Sequence, residues 1–388
     1  MKKRIAVVLG LVLAMSLVAG NLWAGGGQQA GGGGQGIVYV FGPTPDHGWT
    51  GSASRFAQEK INDLNAAGGA YTYVYRGAGN PDDQIRQIEN MLAESRKPAG
   101  VVIQASDNNV QAAVEKIAQA NIPLILFDRL LDGTSPLIRE KMLIAMSADN
   151  YAIGAGAAYY MVEKGLTPGE AIWELPGDNS AVSVERSTGF REFLTGKFAF
   201  VDDKGQSHTI AADKKWTDAQ IASGITSSQV ANWSRDNAKS YFESYITGKT
   251  PQTLSKWLFT QDDEFAMGIL ELLQTPAKAN ERAVFESTVK VLTGCGGLIA
   301  LYDVMGRTKA TAGNQIYQPD TVAIMSPTCR PGFFVDAIQF MDDYLTKGDK
   351  LTQHYTIPEA KRFHEPPHLV DTASWAANKN NPSWRGFD

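Results

Sequence analysis

Short apolar runs alternate with amphipathic stretches from Ile37 onward, and this alternation restricts the available folds more than any other feature. Ile37–Phe41, Tyr71–Tyr75, Val101–Ile103 and Leu124–Phe127 read as strands. Between them apolar residues recur at helical spacing: Phe56, Ile61 and Leu64, then Ile85, Ile88, Met91 and Leu92, then Val110, Val114 and Ile117. Asn80-Pro81 opens one helix with a capping side chain and a proline at the first helical position. After Met146–Asn150 the pattern restarts. Strands are expected at Ala171–Leu175, Trp257–Thr260, Val289–Leu292 and Val322–Met325, and helices at Tyr151–Lys164, Glu264–Leu273 and Phe333–Tyr344. Residues 196–215 and the tail from Phe363 show no clear period. The fold class predicted is α/β, with two doubly wound parallel-sheet halves, helices on both faces and right-handed crossovers. No sequence repeat links the halves.

One strand carries the chemistry. Pro123 stands near its start, where a missing N–H is tolerated. Leu124–Phe127 is unbroken apolar, as expected of a parallel strand covered on both faces. It stops at Asp128-Arg129, an acid beside a base. Ligands of open α/β sheets bind at the carboxyl ends of strands. Polar residues recur at such ends: Asp46, Gln104, Asp128-Arg129, Asp178-Asn179 and Asp262-Asp263. A single acid there is more often a helix cap, and Asp107 and Asp149 are read that way. Trp49 and Trp216 are aromatics in otherwise polar loops, and two such rings suit the apolar face of a sugar.

Met1-Lys2-Lys3-Arg4 followed by an apolar run to about Gly20 reads as a secretory signal peptide over residues 1–24. The run is short for a membrane span. Asn21 stands where a lipoprotein would need cysteine. Residues 25–36, nearly all Gly and Gln, read as a linker. Loss of residues 1–24 leaves 364 of the 388 residues and, with three bases and no acid removed, moves the formal charge from −5 to −8. An acidic chain of this kind argues against nucleic acid and anionic membrane as partners. Cys295 and Cys329 are the two cysteines, and whether they pair is left open by the sequence. There is no Gly-x-Ser-x-Gly elbow, no Walker lysine motif and no His-rich metal spacing, so neither a cofactor nor a metal is expected. Paired carboxylates could serve a glycosidase. The acids beside arginines suit binding better than acid catalysis, so no enzyme is expected.

Five stretches together resemble a known family: Gly79-Asn80 with Gln87–Met91, Ala120–Pro123 with Phe127-Asp128-Arg129, Ala148-Asp149-Asn150, Val184–Phe190, and Gln261–Gly268. In this order they are similar to the type 1 periplasmic sugar-binding proteins, such as those for ribose, xylose and galactose. The resemblance implies two lobes joined by three hinge strands near 147–149, 326–328 and 354–357. The N-terminal lobe would be 37–147 plus 327–355 and the C-terminal lobe 148–326 plus 356–388. It implies ligand contacts at Asp46, Trp49, Gln104, Asp128, Arg129, Arg186, Trp216 and Asp262, with Asp263 structural. Two positions depart from the family: Gly296 stands where relatives often carry an acid, and Ser326 where some carry glutamine. The function implied is capture of a monosaccharide or polyol by a monomeric periplasmic protein and delivery to an ABC transporter permease. Presentation to a chemoreceptor or sensor kinase is the alternative. A sugar-responsive repressor is excluded by the signal segment and the acidic chain.

Overall fold

The computed structural model describes residues 36–44, 48–131, 133, 135–306, 317, 319–379 and 386–387. The expected signal segment and all of the expected linker but Gly36 lie outside the described residues.

In the first half the strands are β1 (Gly36–Pro43), β2 (Tyr71–Ala78), β3 (Gly100–Ile103), β4 (Leu124–Phe127) and β5 (Ile144–Ala148). The helices between them are α1 (Gly48–Ala66), α2 (Pro81–Ala93), α3 (Gln111–Gln119) and α4 (Pro136–Lys141). Then come α5 (Asn150–Glu163), β6 (Ile172–Leu175), α6 (Ala181–Thr195), a small hairpin of β7 (Phe200–Val201) and β8 (Ser207–His208), α7 (Asp218–Gly224), β9 (Ile225–Ser227) and α8 (Arg235–Ile246). The second half continues with β10 (Trp257–Thr260), α9 (Asp263–Gln274), α10 (Ala279–Thr288), β11 (Val291–Thr293), α11 (Ile299–Met305) and β12 (Ala323–Pro327). The chain then forms α12 (Phe333–Lys347), β13 (Arg362–Glu365), β14 (Leu369–Asp371) and α13 (Trp375–Lys379).

Two six-stranded sheets result, in the orders β13-β5-β4-β3-β1-β2 and β14-β12-β11-β10-β6-β9. Every pairing in them is parallel except β12 with β14. The central strands are apolar because helices cover both faces. In the first sheet Val102, Ile125 and Met146 face α12 through Phe334, Ile338 and Met341, while Ile103, Leu124 and Leu126 face Ile88, Val114 and Ile117.

The chain passes between the sheets three times: after β5, after β12, and between β13 and β14. The passages run side by side. The Asp149 N–H donates to the Glu365 carbonyl at 2.9 Å, and the Thr328 N–H donates to the His368 carbonyl at 2.9 Å. Arg330 pairs with Glu365 across the second and third passages. The third passage falls at 366–368, later than the expected 354–357. There the chain turns back on itself: the Thr356 N–H donates to the Arg362 carbonyl at 2.9 Å, which returns β13 to the first sheet.

Helices α5 and α6 approach closely through glycine. A Cβ on Gly154 would lie 1.9 Å from the Arg186 carbonyl oxygen, and one on Gly189 would lie 2.0 Å from that of Tyr151. Only glycine allows such backbone contact.

Candidate functional site

A cavity of about 680 Å³ lies between the carboxyl ends of the two sheets. From the end of the first sheet Asp128 and Arg129 reach its wall; from the second half, Arg186 of α6 and Asp262 at the end of β10. Asp128 ends β4 with a left-handed backbone (φ 61°), which Asp tolerates better than most residues. Its N–H still donates to the Met146 carbonyl at 2.7 Å. Gln104 donates to its carboxylate at 2.8 Å. Burial pushes the Asp128 carboxyl above its usual range, against the pull of Arg129 and the Gln104 bond. Arg129 is anchored on the Ser106 carbonyl.

Arg186 is 4% exposed. It donates to Asn150 at 3.0 Å and to the Gln261 carbonyl at 2.6 Å. Gln261 is itself fixed: its side chain accepts from Ser183 at 2.7 Å and donates to Ser187 at 2.7 Å. Asp262 caps α9 by accepting the Glu264 N–H at 2.8 Å. Burial, then the adjacent Asp263, hold the Asp262 carboxyl well above its ordinary range. Arg186 lies within electrostatic reach of both Asp262 and Asp128, one acid from each half.

Trp49 also lines the cavity, stacked on Phe127 at 6.3 Å and donating its indole N–H to the Cys329 carbonyl. Gln104 is buried and does not reach the wall; it holds Asp128 from behind. Asp46 lies outside the described residues. Trp216 is a correction. It is 3% exposed in the core with Phe193, Leu194 and Phe200, its ring seated on Gly224, where a Cβ would lie 2.7 Å away. The second aromatic at the cleft is Trp233. Asn232 and Trp233 both take left-handed backbones (φ 53° and 57°), and the Arg186 guanidinium lies 5.4 Å from the Trp233 ring. Such strained pairs concentrate at functional sites. The polar stretch Asn232-Trp233-Ser234-Arg235 was the available signal, but it looks no different from the stretch around Trp216.

A family model described as a periplasmic binding protein domain matches residues 38–315. The chain belongs to this family. The fructose import binding protein of Bifidobacterium longum (strain NCC 2705) is 25% identical over 295 residues, 75% of this chain and 77% of that protein. The ribose import binding protein of Escherichia coli (strain K12) is 25% identical over 218 residues, 55% of this chain and 62% of that protein. Among solved structures, the binding protein of the arabinose ABC transporter from Shewanella sp. ANA-3, bound to arabinofuranose, superposes with a TM-score of 0.61 at 16% identity, covering 88% of this chain and 94% of that one. A solute binding protein from Bacillus halodurans C-125 with bound myo-inositol gives 0.61 at 14%, covering 90% and 99%. These structures share the two-lobed α/β fold of type 1 periplasmic binding proteins.

The two departures meet in this periplasmic binding protein at one buried acid. Asp263 accepts from the Gly297 and Leu298 N–H groups at 2.8 Å each and from Ser326 at 2.9 Å. Burial raises its carboxyl to about 6 despite these bonds. Ser326 therefore holds the loop behind Gly296 and is fully buried, so it does not reach the cleft. Gly296 does line it. Cys295 and Cys329 line it too, as two free buried thiols. Among the described residues no group of His, Cys, Asp and Glu is arranged to hold a metal, and no helix is long and apolar enough to cross a membrane.

Proposed function

We propose that this chain, exported by residues 1–24, captures a monosaccharide or related polyol in the interlobe cleft and delivers it to an ABC transporter permease. The observation that carries the reading is the convergence of Asp128, Arg129, Arg186 and Asp262 from both halves on one cavity flanked by Trp49 and Trp233. Carboxylates accept from ligand hydroxyls and arginines donate in a fixed fork. Each charge-assisted bond contributes ~1.5–3 kcal/mol. Indole faces suit the C–H face of a ring. The sugar import roles named for the relatives support the same class.

The same groups serve binding without chemistry. A ligand touching both lobes favours their closed arrangement about the three passages, and that closed surface is what a permease would read.

Calorimetry on Asp128→Ala tests the site. Binding should be lost, and unchanged affinity would remove Asp128 from it. A panel of pentoses, hexoses and polyols tests the class. At least one should raise the melting temperature, and a panel without effect would sink the sugar reading.

A further inference from the structure

The cleft is polar on one side and unusually poor in polar partners on another. Cys295, Gly296 and Cys329 form this second wall. The two thiols belong to an apolar cluster with Ala148, Ile153 and Trp49. We propose that the site, read as a sugar site as above, selects a deoxy sugar. Its hydroxyls would face Asp128, Arg129, Arg186 and Asp262, while an unhydroxylated carbon or methyl group rests on Cys295, Gly296 and Cys329.

The argument is an account of hydrogen-bonding capacity. A thiol is a weak donor and a weak acceptor and behaves as a small apolar group when buried. Burial pushes the Cys295 thiol up to about 12 and that of Cys329 well above its usual value, so neither offers a thiolate.

The backbone donors of this wall at Gly296, Gly297, Leu298 and Cys329 are already committed. The Gly296 N–H donates to the Pro327 carbonyl at 3.0 Å and the Cys329 N–H to the Gly296 carbonyl at 3.4 Å. The Gly297 and Leu298 N–H groups go to Asp263. The Cys329 carbonyl takes the Trp49 indole N–H, and the Cys295 carbonyl takes the Asp263 N–H at 2.9 Å. The hydroxyl that could have served, Ser326, donates to Asp263. Nor can a side chain grow into the gap at Gly296. Its backbone is at φ 137°, and a Cβ would meet the Phe387 ring at 3.0 Å. A ligand hydroxyl placed here would give up water for no equal partner, whereas a methyl would give up nothing.

The test is isothermal calorimetry on matched pairs: D-fucose against D-galactose, L-fucose against L-galactose, L-rhamnose against L-mannose, and 2-deoxy-D-ribose against D-ribose. In at least one pair the deoxy member should bind about tenfold or more tighter than its parent. Cys295→Ser or Cys329→Ser, each adding a hydroxyl partner at nearly constant volume, should narrow that ratio. Parents that bind as tightly as or tighter than their deoxy counterparts in every pair would overturn the proposal and leave the sugar reading standing. So would a deoxy preference that neither serine variant changes. If no member of any pair binds, this proposal falls, and the sugar reading is decided separately by the wider panel of pentoses, hexoses and polyols.

Discussion

Gly154→Ala should be among the most damaging small substitutions in this chain. The added Cβ would lie 1.9 Å from the Arg186 carbonyl oxygen, 2.8 Å from its carbon and 2.9 Å from the Phe190 nitrogen. Real Cβ contacts start near 3.0 Å, so α6 must retreat by at least ~1 Å. All three atoms are backbone, so no side-chain rotation relieves the clash. Alanine gains ~1 kcal/mol over glycine in a helix interior. Overpacking costs ~1–3 kcal/mol, and a contact this rigid belongs at the upper end. The net loss expected is about 1–2 kcal/mol, read from urea unfolding midpoints. The retreat also carries Arg186 away from the Gln261 carbonyl and Asn150, its two anchors at 2.6 and 3.0 Å. Ligand affinity should therefore fall by about tenfold or more, the worth of one hydrogen bond to a charged group. Gly156→Ala is the control. On the same helix its Cβ would meet the tip of Leu369 at 2.8 Å, a side chain that can rotate. It should be neutral or slightly stabilising. A Gly154→Ala protein as stable as the parent, with unchanged binding, would refute the claim that this glycine contact positions Arg186.

Trp233→Ala should weaken ligand binding and abolish part of the fluorescence response, while Trp216→Phe should leave affinity within about twofold and cost stability instead. Glu365, whose carboxyl burial raises to about 7 against the pull of Arg330, binds its proton more tightly in the folded chain than in the unfolded one. Its contribution to stability is full below about pH 4.5 and is lost as pH rises to about 7, a drop of ~3 kcal/mol at 1.36 kcal/mol per unit. Glu365→Gln should flatten that part of the pH profile of urea unfolding, and an unchanged slope would exclude this origin. Cys295 and Cys329 should resist a maleimide reagent in the native protein and both react after denaturation. Non-reducing mass spectrometry that finds them joined would contradict the two free thiols.

The central strands were legible because burial on both faces leaves a continuous apolar run, and Leu124–Phe127 shows it without interruption. Asp128-Arg129 was legible because a charged pair ending such a run has nowhere else to go. The aromatic partner was not. Trp216 and Trp233 both sit in polar stretches, and what separates them is three-dimensional. Gly224 offers a flat seat for Trp216, whereas two left-handed residues turn Trp233 towards Arg186. Asp262 and Asp263 are neighbours in sequence, yet one faces the cleft and the other ties the Gly297–Leu298 loop. The tail from Phe363 showed no period because β13 and β14 are edge strands of only four and three residues split by Pro366-Pro367, too short for an alternation to show. The close packing at Gly154 was not legible either, since a close helix contact leaves no mark on hydrophobic periodicity.

The placement of those two edge strands also governs when the protein can become native. β13 completes the first sheet against β5, β14 completes the second against β12, and only residues 366–368 separate them. A chain made from its N-terminus presents β5 and β12 long before either partner exists. Until then two strand edges stand open, and open edges recruit whatever backbone is nearby. The halves therefore cannot mature one after the other in the order of synthesis. Both wait for the same ten residues, so a chain released short of Arg362 would leave two unfinished sheets rather than one finished lobe.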